Sequence, residues 1–350
     1  MKKMSLVFIL LFTIVLMTGT MLTAQTTLYV DASASGSNNG TNWTDAYTSF
    51  QSALDGAVSG DQIWVAKGTY NPSYDYGLGG GSRYYHFRMI NGVAIYGGFT
   101  GTESAVSERT NYGFGEANET ILSGDIGAIG DNTDNCYHVI YHPSFSTNLT
   151  AILDGFTITD GNADDGTDPH RSGGGMHNDR SSTTLTNCTF TSNSAKYGGG
   201  LYNYNQNSPS LTNCTFILNS AVYDGGGMLN KQLSTPAITN CTFTSNSASH
   251  GGGLYNNSSS PSVTNCAFTS NSVSWWGGGM FNNSSSPTVT NCTFTSNSAD
   301  ESGGGIFNYF AASSPTLNNC IVWGNDAPDG DEIYNNQGTI IMLPKIRTVV

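Results

Sequence analysis

Three glycines followed by Met, Leu or Ile recur six times in the second half of the chain, and a cysteine and an asparagine follow each run at matching distances. The first run is Gly173, Gly174, Gly175 and Met176; the others occupy 198–201, 225–228, 251–254, 277–280 and 303–306, at steps of 25, 27, 26, 26 and 26 residues. The second landmark is Cys188, Phe190 and Asn193, then Cys214, Phe216 and Asn219, and so on through Cys241, Cys266 and Cys292 to a worn copy at Cys320, Val322 and Asn325. A fixed period built from short β-prone runs specifies a solenoid, in which each unit stacks only on its neighbours.

The units are rich in Gly, Asn, Ser and Thr, which are poor helix formers, and they lack the several leucines of a leucine-rich repeat. Each unit offers three short strands separated by turns, for example 253–256, 262–264 and 266–268. One unit per coil of a parallel β-helix, about 26 residues long, fits both the period and the turn chemistry.

Strand alternation assigns the faces. Cys266 and Phe268 share the inner face, and Val263 has the opposite parity, so a corner falls between them. Asn265 is placed there because asparagine tolerates the left-handed region. Its equivalents are Asn187, Asn213, Asn240, Asn291 and Asn319. With coils about 4.8 Å apart, these six form a structural ladder of side-chain amides. Cys188, Cys214, Cys241, Cys266, Cys292 and Cys320 form a second, of buried free thiols acting as small apolar filler, because stacked side chains point alike rather than at one another.

The net charge of -13 removes any counterion-release drive toward nucleic acid. Lys2 and Lys3 before an apolar stretch over 6–17, with small residues near Ala24, read as a signal peptide over 1–24. No later stretch reaches the length of a spanning helix, so the mature chain is expected to have no transmembrane segment, to be secreted or displayed at the cell surface, and to be a monomer. The expected organisation continues with an N-terminal cap and first coil over 25–70, irregular coils with loop excursions over 71–160, regular repeats over 161–339 and an atypical tail over 340–350. Phe50, Ala53, Leu54 and Ala57 have helical spacing, and a short helix there would cover the open end of the solenoid. Strands are expected at 28–30, 62–66, 93–96, 120–122, 137–141 and 153–159.

The opening run from Tyr29 to Trp43, with Gly60, Asp61, Trp64 and Gly68 after it, resembles secreted bacterial right-handed parallel β-helix proteins. So do Gly97, Gly98 and Phe99, and Leu153, Asp154, Gly155 and Phe156. The glycine and Phe-x-x-Asn landmarks are similar to the repeats of polymorphic outer-membrane proteins. The resemblance implies an all-β, right-handed parallel β-helix solenoid of the pectin-lyase-like kind. It also implies surface or passenger roles beside lyases and hydrolases on one scaffold, so the fold does not choose the function.

Two candidate sites are legible. Asp160, Asp164, Asp165, Asp168, His170 and Arg171 crowd one loop, where Asp164, Asp165 and Asp168 are candidate ligands for Ca²⁺; no other cofactor is indicated. The residues after each inward Met, Leu or Ile are His177, Tyr202, Leu229, Tyr255, Phe281 and Phe307. Facing out, they would form an aromatic stripe able to contact a glycan or a surface protein, with cross-strand stacking as the structural alternative. Few acid–base residues recur from coil to coil. The expectation is therefore a non-catalytic exported passenger protein, binding through that stripe in adhesion. The alternative is a polysaccharide lyase or glycoside hydrolase.

Overall fold

The computed structural model describes residues 25–77, 79–144 and 149–342; the signal peptide expected over 1–24 and most of the tail expected over 340–350 lie outside them. From Met176 to Ala299 each coil closes through four parallel strands rather than three. In one coil these are Met176–Asp179, Thr184–Thr186, Thr189–Thr191 and Ser194–Tyr197. We number the sheets they found I to IV. Among the described residues sheet I has eight strands, sheet II eleven, sheet III nine and sheet IV six. The three expected strands are sheets I to III. The fourth run, just before the glycines, is rich in Ser and Ala and pairs only over short lengths with register shifts.

Register between coils is residue for residue. Met176 pairs with Leu201, and Leu201 with Met228; Phe190 pairs with Phe216, and Phe216 with Phe243. Identical side chains therefore stack. The inward rings of Phe190, Phe216, Phe243, Phe268 and Phe294 lie at centroid distances of 4.9, 4.8, 4.7 and 4.5 Å. All five are fully buried, and each additional coil extends the same narrow core.

The corners follow from local chemistry. Asn187, Asn213, Asn240, Asn265, Asn291 and Asn319 all adopt φ between 51° and 55°. Their amides join in a file, with Asn213 donating to Asn187 at 3.2 Å and Asn265 to Asn240 at 3.2 Å. The stretch 153–159, expected as one strand, is two, Ile152–Asp154 and Thr157–Thr159. Gly155 breaks it at φ 83°, holding the corner that asparagine holds later. In the glycine runs, Gly198 is left-handed (φ 63°), and a Cβ on Gly200 would lie 2.6 Å from the carbonyl oxygen of Gly227.

The cap helix is Phe50–Gly56, with Ser49 accepting from the Ser52 N–H at 3.4 Å. It buries Phe50 and Leu54 against the first coils, and Phe50 meets Phe87 edge-on at 4.9 Å. Among the described residues no helix is long and apolar enough to cross a membrane.

Candidate functional site

A cavity of about 320 Å³ lies on the outer face of sheet I where the regular coils begin. Alternation along Met176–Asp179 turns Met176 and Asn178 inward, both fully buried, and leaves His177 and Asp179 outward. Stacking then continues each file. Tyr141, His177 and Tyr202 form one, and Asp179, Tyr204 and Lys231 the next. The loop carrying Asp168, Pro169, Arg171 and Ser172 forms one wall, and Tyr197 of sheet IV closes the side.

The charged groups differ in surroundings. Asp168 accepts from Arg171 Nε and Nη2, both at 2.7 Å, and this guanidinium holds its carboxyl below the usual carboxylate range. Burial pushes the Asp179 carboxyl upward. Both acids stand close enough to Tyr202 to add to the burial that raises its phenol. His177 bonds through Nδ1 to the Ser172 carbonyl at 2.9 Å, and burial pushes it down to about 4, so it is neutral at pH 7. Two carboxylates with opposed proton affinities in one tyrosine-lined cleft are suited to acid–base chemistry.

The expected calcium ligands do not converge. Asp164 pairs with Arg83 at 2.7 Å, Asp168 with Arg171, and Asp165 receives the N–H of Gly166. The nearby guanidiniums take up the charge that an ion would have balanced. Among the described residues no three His, Cys, Asp or Glu side chains group to hold a metal ion.

The stripe expected to contact ligand is covered, and that expectation is corrected. His177, Tyr202, Leu229, Tyr255, Phe281 and Phe307 do leave the outer face of sheet I, but none is more than 6% exposed. Tyr255 stacks on Phe281 at 4.7 Å and Phe281 on Phe307 at 5.1 Å. Chain from sheet IV folds over them, with Trp276 lying 5.3 Å from Phe307. The stripe is a second packed layer. The six repeat cysteines and Cys136 are buried free thiols, and Cys188 Sγ–H donates to the Thr186 carbonyl at 3.2 Å.

Asp179, Tyr204 and Lys231 were not singled out in the sequence. Their signal was available: each lies two residues beyond the outward residue of its coil, hence on the same face.

A family model described as the right-handed beta helix region matches residues 174–343. No curated protein matches the chain. Among solved structures, the chain is similar to pectate lyase Pel9A, at 13% identity over 93% of this chain and 79% of that one, with a TM-score of 0.49. It is similar to a rhamnogalacturonan lyase at 11% identity, covering 86% and 75%, with a TM-score of 0.39. A rice weevil pectin methyl esterase follows at 11%, covering 89% and 90%, with a TM-score of 0.32. The description as a right-handed β-helix is that of the family model over 174–343; these similarities add no argument to it. The reading of a non-catalytic adhesive passenger is corrected, because the aromatic face it relied on is buried.

Proposed function

We propose that the protein is a carbohydrate-active enzyme that hydrolyses a glycosidic bond in the cleft of Asp168, Asp179 and Tyr202. Asp179 would protonate the leaving oxygen as the glycosidic bond breaks, and Asp168, kept ionised by Arg171, would take a proton from the water that bonds to the anomeric carbon. The observation that carries this reading is geometric: Asp168, held by Arg171 through two bonds of 2.7 Å, and Asp179 line one cleft together with Tyr202. Tyr197 and Tyr204 supply amphipathic walls of the kind sugar rings pack on. The leader-like segment over 1–24 supports placing the activity outside the cell.

Elimination is a second reading, favoured by Lys231 in the same cleft, a base that could remove the proton beside a uronate carboxyl. One assay separates them. Incubation with neutral and acidic polysaccharides is followed for new reducing ends and for the ultraviolet absorbance of an unsaturated product. Hydrolysis gives reducing ends without absorbance, and elimination gives both. The expectation is hydrolysis that Asp179→Asn and Asp168→Asn each slow by about 100-fold. No bond cleavage in any polysaccharide, or full activity in Asp179→Asn, would remove the proposal.

A further inference from the structure

Sheet IV carries a row of rings that begins at the wall of the cleft and continues along the rod. Its register pairs Tyr197 with Asp224, Asp224 with His250, and His250 with Trp276. The residues just before these form a neighbouring file, in which Tyr223 and Trp275 stand on either side of Ser249. Trp276 turns onto the buried layer and donates Nε1–H to Glu301 at 2.9 Å. Alternation therefore leaves Trp275 facing solvent, 47% exposed, as Tyr223 is at 46%. Tyr223 lies 5.2 Å from Tyr197 at the cleft wall, and farther along the rod His250 lies 5.9 Å from Trp275.

Each of these two large rings packs one side on a neighbouring ring and leaves about half of itself to solvent, over a layer that is already closed. Tyr223 and Trp275 are two coil steps apart, about 9.6 Å at sheet spacing, which is the length of a disaccharide in an extended chain. Ser249 between them leaves the path low. Asp224 and Glu301 flank it, which disfavours a polyanion.

We infer that Tyr223 and Trp275 are distal subsites on which a neutral, extended glycan lies along the helix axis, its reacting end in the cleft beside Tyr197. This rests on the cleft's being the site of glycan hydrolysis and adds that the substrate is a polymer rather than a short oligosaccharide. The two rings contact alternate sugars by stacking and touch no reacting atom, so they set affinity for chain length.

The test is binding of cello-, xylo- and manno-hexasaccharides and the corresponding disaccharides, read by tryptophan fluorescence and calorimetry on the whole chain. At least one hexasaccharide should bind about tenfold more tightly than its disaccharide. Trp275→Ala and Tyr223→Ala should each remove most of that difference and leave disaccharide binding and thermal unfolding unchanged. Trp275→Phe should restore part of it. Equal binding of both lengths throughout the panel, or undiminished hexasaccharide affinity in both alanine variants, would overturn the inference. Asp179→Asn separates it from the proposed reaction. If Trp275→Ala loses the length dependence while no protein cleaves any glycan, the subsites stand and hydrolysis falls. If cleavage is lost in Asp179→Asn while length never matters, the reverse holds.

Discussion

Asn187 donates its side-chain amide to the carboxylate of Asp154 at 3.0 Å, and the corner file of asparagines ends there. Each amide in the file donates toward the N-terminus, from Asn319 to Asn291 and on to Asn213 and Asn187. A fixed anion thus receives the donor end of a row of aligned dipoles. The same carboxylate pairs with Arg109 at 3.3 Å, the two side chains only 15% and 5% exposed. Asp154→Ala would strand a buried guanidinium and should lower stability by about 3 kcal/mol. Asp154→Asn, which still accepts from Asn187, should cost less. Urea unfolding followed by circular dichroism checks the order; equal midpoints for both variants would contradict it.

A second asparagine file runs inside the coil and donates the opposite way. Asn219 gives its amide to Asn246 at 3.0 Å, Asn246 to Asn271 at 2.9 Å, and each also bonds to a phenylalanine carbonyl of a preceding coil. It ends on Glu332, which accepts from Asn325 at 2.6 Å. Asn246 is fully buried, so Asn246→Ala leaves partners unsatisfied on both sides and should cost about 2–4 kcal/mol. Asn240→Gly removes two exposed bonds, one given to Asn213 and one accepted from Asn265, at a corner where φ is 54°, a conformation glycine adopts freely, and should cost under about 1 kcal/mol. Comparable losses in the two variants would show that the inner file carries no special share of the stability.

The difference between these files marks how far the sequence could be read. The corner asparagines were legible because parity forces a bend between Val263 and Cys266, and few residues tolerate it. The period and the stacked phenylalanines were legible because both repeat. The cover over Tyr202 and Phe281 was not. Parity says which way a side chain leaves its sheet, and here a fourth run of strand, too short and too rich in Ser and Ala to stand out, folds back over the outward rings. The cleft was half legible. Asp168 and Arg171 drew notice as part of an acidic cluster, whereas Asp179 and Lys231 occupy one file without sharing a residue type, so no repeat exposed them.

Buried imidazoles near the cleft make stability depend on pH. Burial pushes His142 and His177 from the ordinary 6.5 down to about 4, and pushes His138 well down. The unfolded chain therefore takes up protons between pH 6.5 and 4 that the folded chain refuses. Stability is full above that window and is lost as pH falls through it, by about 1.4 kcal/mol per pH unit for each histidine. Urea midpoints at pH 7.5 and above should agree and should fall steadily from pH 6.5 to 4.5. A flat profile over that range would mean these side chains are hydrated.

The seven thiols should be silent in the folded protein. All are buried and unpaired, and burial pushes the Cys136 thiol up, which keeps it in the unreactive protonated form. A disulfide-exchange reagent should therefore label less than about one thiol per chain before unfolding and all seven after it in denaturant. Fast labelling of the native protein would argue that the coils open locally.

If Asp179 and Asp168 divide acid and base work, the rate must follow both protons. Asp179 acts while protonated, and burial raises its pKa, extending its competent range upward from that of an ordinary aspartate. Asp168 acts while ionised, and Arg171 lowers its pKa, extending its competent range downward. Activity on a neutral polysaccharide should thus show a bell on the acidic side of neutrality, falling as pH rises through the Asp179 value and as it drops through that of Asp168. Arg171→Gln removes the bidentate cation and should move the acidic limb upward, narrowing the bell while leaving the alkaline limb in place. Asp179→Asn should lower the rate throughout and abolish the alkaline limb. An Arg171→Gln profile that keeps its acidic limb would detach Asp168 from the reaction.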